Sequence, residues 1–243
     1  MNPFVYFLFF LLATLNISCT KTRRNSDGRS HTSSMITAPK RELREGTSQV
    51  RQSIPISSQS NTLEPTEIFR KYNPAVFMVY TTDGVGVFQG SGFFISEDGL
   101  AVSNYHVFKG TAVGYEVIKL FDGRQYKIAE VIAKSESEDY ILFRIKGNFC
   151  YIPLSRHQCS VGEKVYTIGS PRGLENTFSS GEISQIREDN YIQISCPIDH
   201  GSSGGALLNA YGEVIGITTG GHDESGANLN FAKDIRVLKQ PDY

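Results

Sequence analysis

Of the 23 glycines in this 243-residue chain, 21 lie between Gly84 and Gly226, and none precedes Gly28. Glycine enters the left-handed backbone region without steric cost but weakens helices, so this density favours tight turns over long helices. The segments between turns agree. Apolar runs of four to eight residues, rich in β-branched and aromatic side chains, occur at 76–81, 85–89, 92–95, 100–103, 115–121, 126–133 and 140–145. Further runs are 164–168, 178–186, 191–195, 206–208, 214–218 and 229–232, with Asp98-Gly99, Asp122-Gly123 and Tyr211-Gly212 as turn pairs. About a dozen short strands at this spacing predict an all-β sandwich or barrel rather than alternating βαβ units. Two short helices flank them, at 65–72 and 233–239.

The beginning of the chain is of another kind. Residues 4–15 are an uncharged Phe/Leu-rich run, the length of an export signal's apolar core and too short to span a bilayer. It leads through Asn16-Ile17-Ser18 to Cys19 and resembles a bacterial lipoprotein signal in which Cys19 is the lipidated residue; an ordinary cleaved signal is the alternative. Residues 20–62 hold 15 Ser or Thr, seven apolar residues, and eight Lys or Arg against three Asp or Glu. Seven apolar residues cannot offset the ordering entropy of that length, so a disordered basic tether is expected. The domain plan is therefore a signal at 1–19, a tether at 20–62 and one folded domain at 63–243. The formal charge of −1 is the sum of +5 on the tether and −6 on the folded part, which leaves no footprint for nucleic acid.

Chemistry concentrates at Asp199-His200-Gly201-Ser202-Ser203-Gly204-Gly205, followed at once by an apolar strand. A serine framed by glycines has little bulk around it, and the backbone over Gly201, Ser202 and Ser203 can form an oxyanion hole. The N–H groups of Gly201 and Ser203 are the expected donors. A serine hydroxyl needs a base. Of five histidines, His31 lies in the tether, His157 and His222 in polar loops, and His200 beside the serine. His106 ends an apolar strand, and Asp139 stands at the mouth of 140–145 as a carboxylate to orient it. The order is His, Asp, Ser.

Several stretches carry a resemblance to the chymotrypsin-type double barrel, closest to the bacterial HtrA/Deg serine proteases. They are Gly90-Ser91-Gly92-Phe93-Phe94-Ile95, Val102-Ser103-Asn104-Tyr105-His106-Val107, Asp139-Tyr140-Ile141-Leu142, Ile168-Gly169-Ser170-Pro171-Arg172-Gly173, Ser180-Gly181-Glu182-Ile183-Ser184 and Gly201 to Leu208. The resemblance implies two six-stranded β-barrels with short N- and C-terminal helices. It implies Ser203 as nucleophile, His106 as general base and Asp139 as its orienting partner in an exported endopeptidase acting on unfolded or exposed polypeptides. By analogy Ile198, Asp199, His200, Thr218, Thr219 and Gly220 line the substrate pocket. The side chain before the scissile bond is expected to be small or medium and apolar, since Thr218 stands where glutamyl-specific relatives carry His. No cofactor, metal or nucleic acid is expected.

The sequence also departs from the family. Ser202 occupies the position where trypsin-like zymogens place Asp, and the short segment from Val85 to Gly90 stands where longer members insert a loop. About 40 residues follow Ser203, so the usual PDZ module is not expected in this sequence. The resemblance implies a homotrimer, for which Phe69 and Tyr72 are contact candidates unless they pack on their own domain. A membrane tether through Cys19 and a place in the bacterial periplasm or on an outer-membrane or cell-surface lipoprotein follow from the signal. Cys150 and Cys159 flank a loop and are candidates for a disulfide in an oxidising compartment, whereas Cys196 is expected to be buried. A catalytically silent peptide-binding or chaperone-like module on the same barrel is the competing reading.

Overall fold

A computed structural model describes residues 62–112, 114–173, 176–222 and 229–238. The signal with Cys19, the tether up to position 61, and the end of the expected closing helix lie outside the described residues. No described helix is long and apolar enough to cross a membrane.

The first element is helix α1 (Pro65–Tyr72), as the sequence predicts. Proline at its first turn needs no hydrogen-bond partner, Glu67 sits at the positive end, and Arg70 and Lys71 sit at the negative one. It buries Ile68 and Tyr72, on the order of 1.5–3 kcal/mol for each large apolar side chain. Phe69 packs edge-on against Phe178 at 5.7 Å, and Tyr72 closes over Gly212. Both aromatics are thus engaged within their own domain.

Seven strands follow as one antiparallel sheet: β1 (Val76–Thr82), β2 (Val87–Phe94), β3 (Leu100–Ser103), β4 (Val117–Leu120), β5 (Gln125–Tyr126), β6 (Glu130–Ser135) and β7 (Tyr140–Arg144). Their order is β5-β4-β1-β2-β3-β7-β6. Three ladder steps separate β1 from β7, yet Phe77 and Phe143 meet at 6.3 Å between ring centroids. A flat sheet would hold those strands roughly 14 Å apart, so the sheet curls around this aromatic core. The second half comprises β8 (Lys164–Gly169), β9 (Thr177–Ile186), β10 (Tyr191–Ile194), β11 (Ala206–Asn209), β12 (Val214–His222) and β13 (Leu229–Asp234). These six strands close into a barrel in the order β10-β13-β12-β11-β8-β9.

The first half holds seven strands where six are expected, and three further details differ from the sequence expectation. The runs at 85–89 and 92–95 join into β2, because Gly90 and Gly92 are demanded by packing and not by a turn. A Cβ at Gly92 would fall 2.3 Å from the Phe77 ring, and one at Gly90 would fall 2.6 Å from Val107. The run at 126–133 splits into β5 and β6. There Glu116 accepts from the Ile128 N–H at 3.1 Å and Lys127 Nζ donates to the Gly114 carbonyl at 2.8 Å, in place of ladder bonds. Finally, Lys233 does not start a helix. It lies inside β13, and only a 3₁₀ turn (Ile235–Val237) follows, capped by Asp234 accepting from the Arg236 N–H.

The two halves share one core. Val76, Phe93, Val102 and Leu142 from the first pack with Tyr166, Ile168, Leu208 and Ile217 from the second. Burial on both sides of the seam holds the cleft walls fixed, and all the expected catalytic residues lie along that seam.

Candidate active site

The cleft is joined by a short set of bonds around Ser91, which is fully buried on β2. Its N–H donates to the Ser203 carbonyl at 2.7 Å, and its hydroxyl donates to the Gly201 carbonyl at 2.7 Å. The same hydroxyl accepts from the Ser170 N–H at 2.9 Å. One serine of the first half therefore anchors two carbonyls of the 201–205 loop in the second.

On the opposite wall, β3 ends in the one-turn helix α2 (Tyr105–Phe108), which presents His106 to the cleft. Asp139 Oδ2 lies 2.8 Å and Oδ1 3.1 Å from His106 Nδ1. Oδ1 also accepts from the His106 backbone N–H at 3.0 Å, and Oδ2 accepts from the Thr219 hydroxyl at 2.8 Å. An ionised carboxylate can only accept, so the proton of the neutral ring sits on Nδ1 and Nε2 keeps its lone pair. Burial by itself would raise the Asp139 carboxyl, but the hydrogen bonds and charge of His106, aided by Thr219, more than offset that. The carboxyl is held below the ordinary aspartate value. Asp139 adopts φ +50°, and its carbonyl is held by Asn104 Nδ2 at 2.9 Å.

Ser203 is half-buried and faces Gly220, where a Cβ would stand 4.0 Å from its Oγ. Gly220 follows Thr219, so β12 links the serine to the His106–Asp139 pair. Ser203 Oγ makes no hydrogen bond to the imidazole in this structure; such contacts commonly tighten only with substrate bound.

Around the serine, the 201–205 loop has the polarity an oxyanion needs. Gly201 adopts φ +94°, and the His200 carbonyl turns away to accept from the Arg172 N–H at 2.7 Å. Across a trans peptide the Gly201 N–H then points to the other side, away from Arg172. Among the described residues, neither the Gly201 nor the Ser203 N–H donates to a protein acceptor. The Ser202 N–H does, to the Asp199 carbonyl at 2.9 Å, so of the three residues expected to form the oxyanion hole Ser202 offers no unused N–H. Gly204 has φ +88° and lies so close to β2 that a Cβ would fall 2.1 Å from the Ser91 carbonyl.

The expected pocket residues divide. Thr218 is buried with its hydroxyl donating to the Ser202 carbonyl at 2.6 Å, and the Thr219 hydroxyl is engaged with Asp139, so neither hydroxyl is free for a substrate. Thr167, Pro197, Ser202 and Thr218 border a cavity of about 20 Å³, room for roughly one water. Ile198 is half-buried, while Asp199 and His200 are exposed. The Asp199 carboxyl is held low by the His200 N–H and by the Arg172 guanidinium, 2.6 Å away. Gly220 borders a larger cavity of about 320 Å³ that Arg187, Tyr191 and Phe231 also line. Cys150, Cys159 and Cys196 are all free thiols; Cys196 is buried, which pushes its thiol up to about 12.

The sequence reading missed Ser91, Asn104 and Arg172 as builders of the site. Ser91 between two glycines and Asn104 two residues before His106 were the available signals. Their partners lie 27 to 110 positions away, which sequence spacing does not reveal.

A family model described as a trypsin-like peptidase domain matches residues 90–217, more than half of the chain. This chain belongs to the trypsin-like peptidase family. Within that family its similarity is to HtrA-type proteases. A Rhizobium meliloti (strain 1021) protein named as a probable periplasmic serine endoprotease, DegP-like, is 34% identical over 154 residues, which is 59% of this chain and 30% of that protein. The chloroplastic Protease Do-like 1 of Arabidopsis thaliana is 31% identical over 211 residues, 76% of this peptidase and 47% of the relative. A crystal structure of a serine endoprotease from Yersinia pestis superposes with a TM-score of 0.65 at 28% identity, covering 72% of this peptidase and 64% of that chain. The chain thus spans less than half the length of these two curated relatives. The double-barrel fold expected from the sequence is the fold of this family.

Proposed function

We propose that this trypsin-like peptidase is an exported serine endopeptidase that cuts unfolded or exposed polypeptide segments. Ser203 Oγ attacks the scissile carbonyl while His106 Nε2 takes its proton, forming a tetrahedral adduct whose oxygen carries the negative charge. The Gly201 and Ser203 N–H groups stabilise that oxygen. His106 then passes the proton to the leaving amine, and a water repeats the sequence to free the acid. Asp139 holds the imidazole with Nε2 toward the serine and stabilises the imidazolium without taking the proton. The observation that carries this reading is the Asp139 carboxylate gripping the ring Nδ1 and the backbone N–H of His106 across the seam from a glycine-framed serine with two unused N–H groups beside it.

Export is supported by the apolar run at 4–15, and a periplasmic relative carries the name of a serine endoprotease. Lipidation at Cys19, a membrane tether through it and a homotrimer extend the same proposal. A small or medium apolar side chain before the scissile bond fits the closed floor formed by Thr218 and Pro197. An unfolded protein substrate with quenched fluorophores tests the activity: wild type releases fluorescence and Ser203→Ala does not. Equal rates from the two proteins would sink the assignment.

A further inference from the structure

Lys233 is the one buried basic side chain among the described residues, at 1% exposure on β13. An ammonium taken out of water is strongly disfavoured unless each proton finds a partner. Three groups face it. Nζ donates to the Asp189 carbonyl at 2.6 Å, lies 3.4 Å from Glu138 Oε2, and stands 4.0 Å from the centroid of the Tyr191 ring. Asp189 belongs to the β9–β10 turn of Lys233's own barrel, and Tyr191 opens β10 directly after it. Glu138 belongs to the other half and immediately precedes Asp139. A second group from the same turn, Asn190 Nδ2, also reaches Glu138 Oε2, at 3.2 Å.

Asp139 needs such support. A non-glycine residue at φ +50° persists only where its surroundings hold it. From its own half, the Asp139 N–H donates to the Glu136 carbonyl at 3.3 Å and Asn104 holds its carbonyl. From the barrel that carries Ser203, Lys233 and Asn190 hold the preceding side chain. We infer that Lys233 and Glu138 are positioning residues: their pairing, buried at the Lys233 end, locks the Asp139 corner to the Ser203 barrel and sets the His106–Asp139 pair in register with the nucleophile. This rests on the proposed triad. A pair that served packing alone would be replaceable by an apolar side chain of similar length with little consequence for chemistry.

The test compares Lys233→Met, Glu138→Gln and the double variant in the full chain, with Lys109→Gln as control. Lys109 pairs with Glu136 on the same loop, but that pair is solvent-exposed. Three quantities are read: the fluorophosphonate labelling rate at Ser203, kcat and KM on the quenched substrate, and the low-field proton resonance of the His106 Nδ1–H···Asp139 bond. Wild-type labelling checks the proteolytic reading independently, and the proton resonance reports the corner whether or not the protein is active. Lys233→Met and Glu138→Gln should each lower kcat and labelling by roughly tenfold to a hundredfold, the scale of a small misplacement of reacting groups. KM should stay within about twofold and the resonance should shift or broaden, as expected for lost orientation. The double variant should be no worse than the poorer single, and Lys109→Gln should match wild type. Should Lys233→Met fail to fold, Glu138→Gln decides alone, since its side chain is 34% exposed and tolerates the change. A wild-type kcat and resonance in Glu138→Gln, or a fall in kcat with an unmoved resonance, overturns the inference.

Discussion

Replacing Asp139 by asparagine keeps the shape of the site and reverses one hydrogen-bonding direction. Oδ1 accepts from the His106 backbone N–H, which cannot turn round, so the oxygen of the new amide must stay there. Its NH₂ group then occupies the place of Oδ2, facing His106 Nδ1 at 2.8 Å and the Thr219 hydroxyl at 2.8 Å. The hydroxyl can rotate to accept. Nδ1 can accept only by giving up its proton, which moves to Nε2 and blocks the position that must take the serine proton. Loss of the carboxylate also removes the charge that stabilises the imidazolium. In chymotrypsin-type triads this exchange lowers kcat by about 10⁴, or about 5.4 kcal/mol at 1.36 kcal/mol per factor of ten. Thr219→Val provides the scale for orientation alone. It removes one hydrogen bond to a charged group, worth about 1.5–3 kcal/mol, while leaving both His106 contacts, so a loss of about tenfold to a hundredfold is expected. The assay is the second-order rate of fluorophosphonate labelling near pH 8, with thermal unfolding to check that each variant is folded. If Asp139→Asn labels within tenfold of wild type, or no more slowly than Thr219→Val, the tautomer argument fails.

Other outcomes follow from the same geometry. Gly201→Ala places a Cβ 2.7 Å from the Ser170 carbonyl at φ +94°, so the N–H must turn from the cleft; labelling should fall by about 10²–10³ with the protein still folded by circular dichroism. The Asp139 carboxyl is held below its ordinary value, so its stabilising contribution is fully present above about pH 4 and is lost as the pH falls through the lowered folded value. Urea titrations should accordingly show a wild-type advantage over Asp139→Asn at pH 5 that shrinks on further acidification. For the proposed anchor, wild type should incorporate labelled fatty acid in a bacterial host and Cys19→Ala should not, whereas no labelling of wild type would point to an ordinary signal.

Much of the architecture was legible because strand formation here is local. Runs such as 100–102 and 140–143 are unbroken in apolar residues, and Gly99, Gly123 and Gly212 each take positive φ at their turns. The segment around Ser203 stood out as a candidate site because of its glycines, and Gly201 and Gly204 do take positive φ there. What the sequence hid depends on distant partners. Gly90-Ser91 read as a break between two runs, yet Val107 needs the space of the missing side chain at Gly90, as the Phe77 ring does at Gly92. Thr219 read as a pocket residue, but its hydroxyl meets a carboxylate 80 positions earlier. Lys233 read as the start of a closing helix, and only the fold brings Glu138, 95 positions away, to its ammonium.

The central claim is that Ser203 is a nucleophile activated across the seam by His106. Mass spectrometry of the peptidase after fluorophosphonate treatment at pH 7.5–8 tests it most directly. A single adduct should map to Ser203, and it should be absent from Ser203→Ala and strongly reduced in His106→Ala. An adduct on another residue, or none on wild type under conditions that label a control serine protease, would contradict the account.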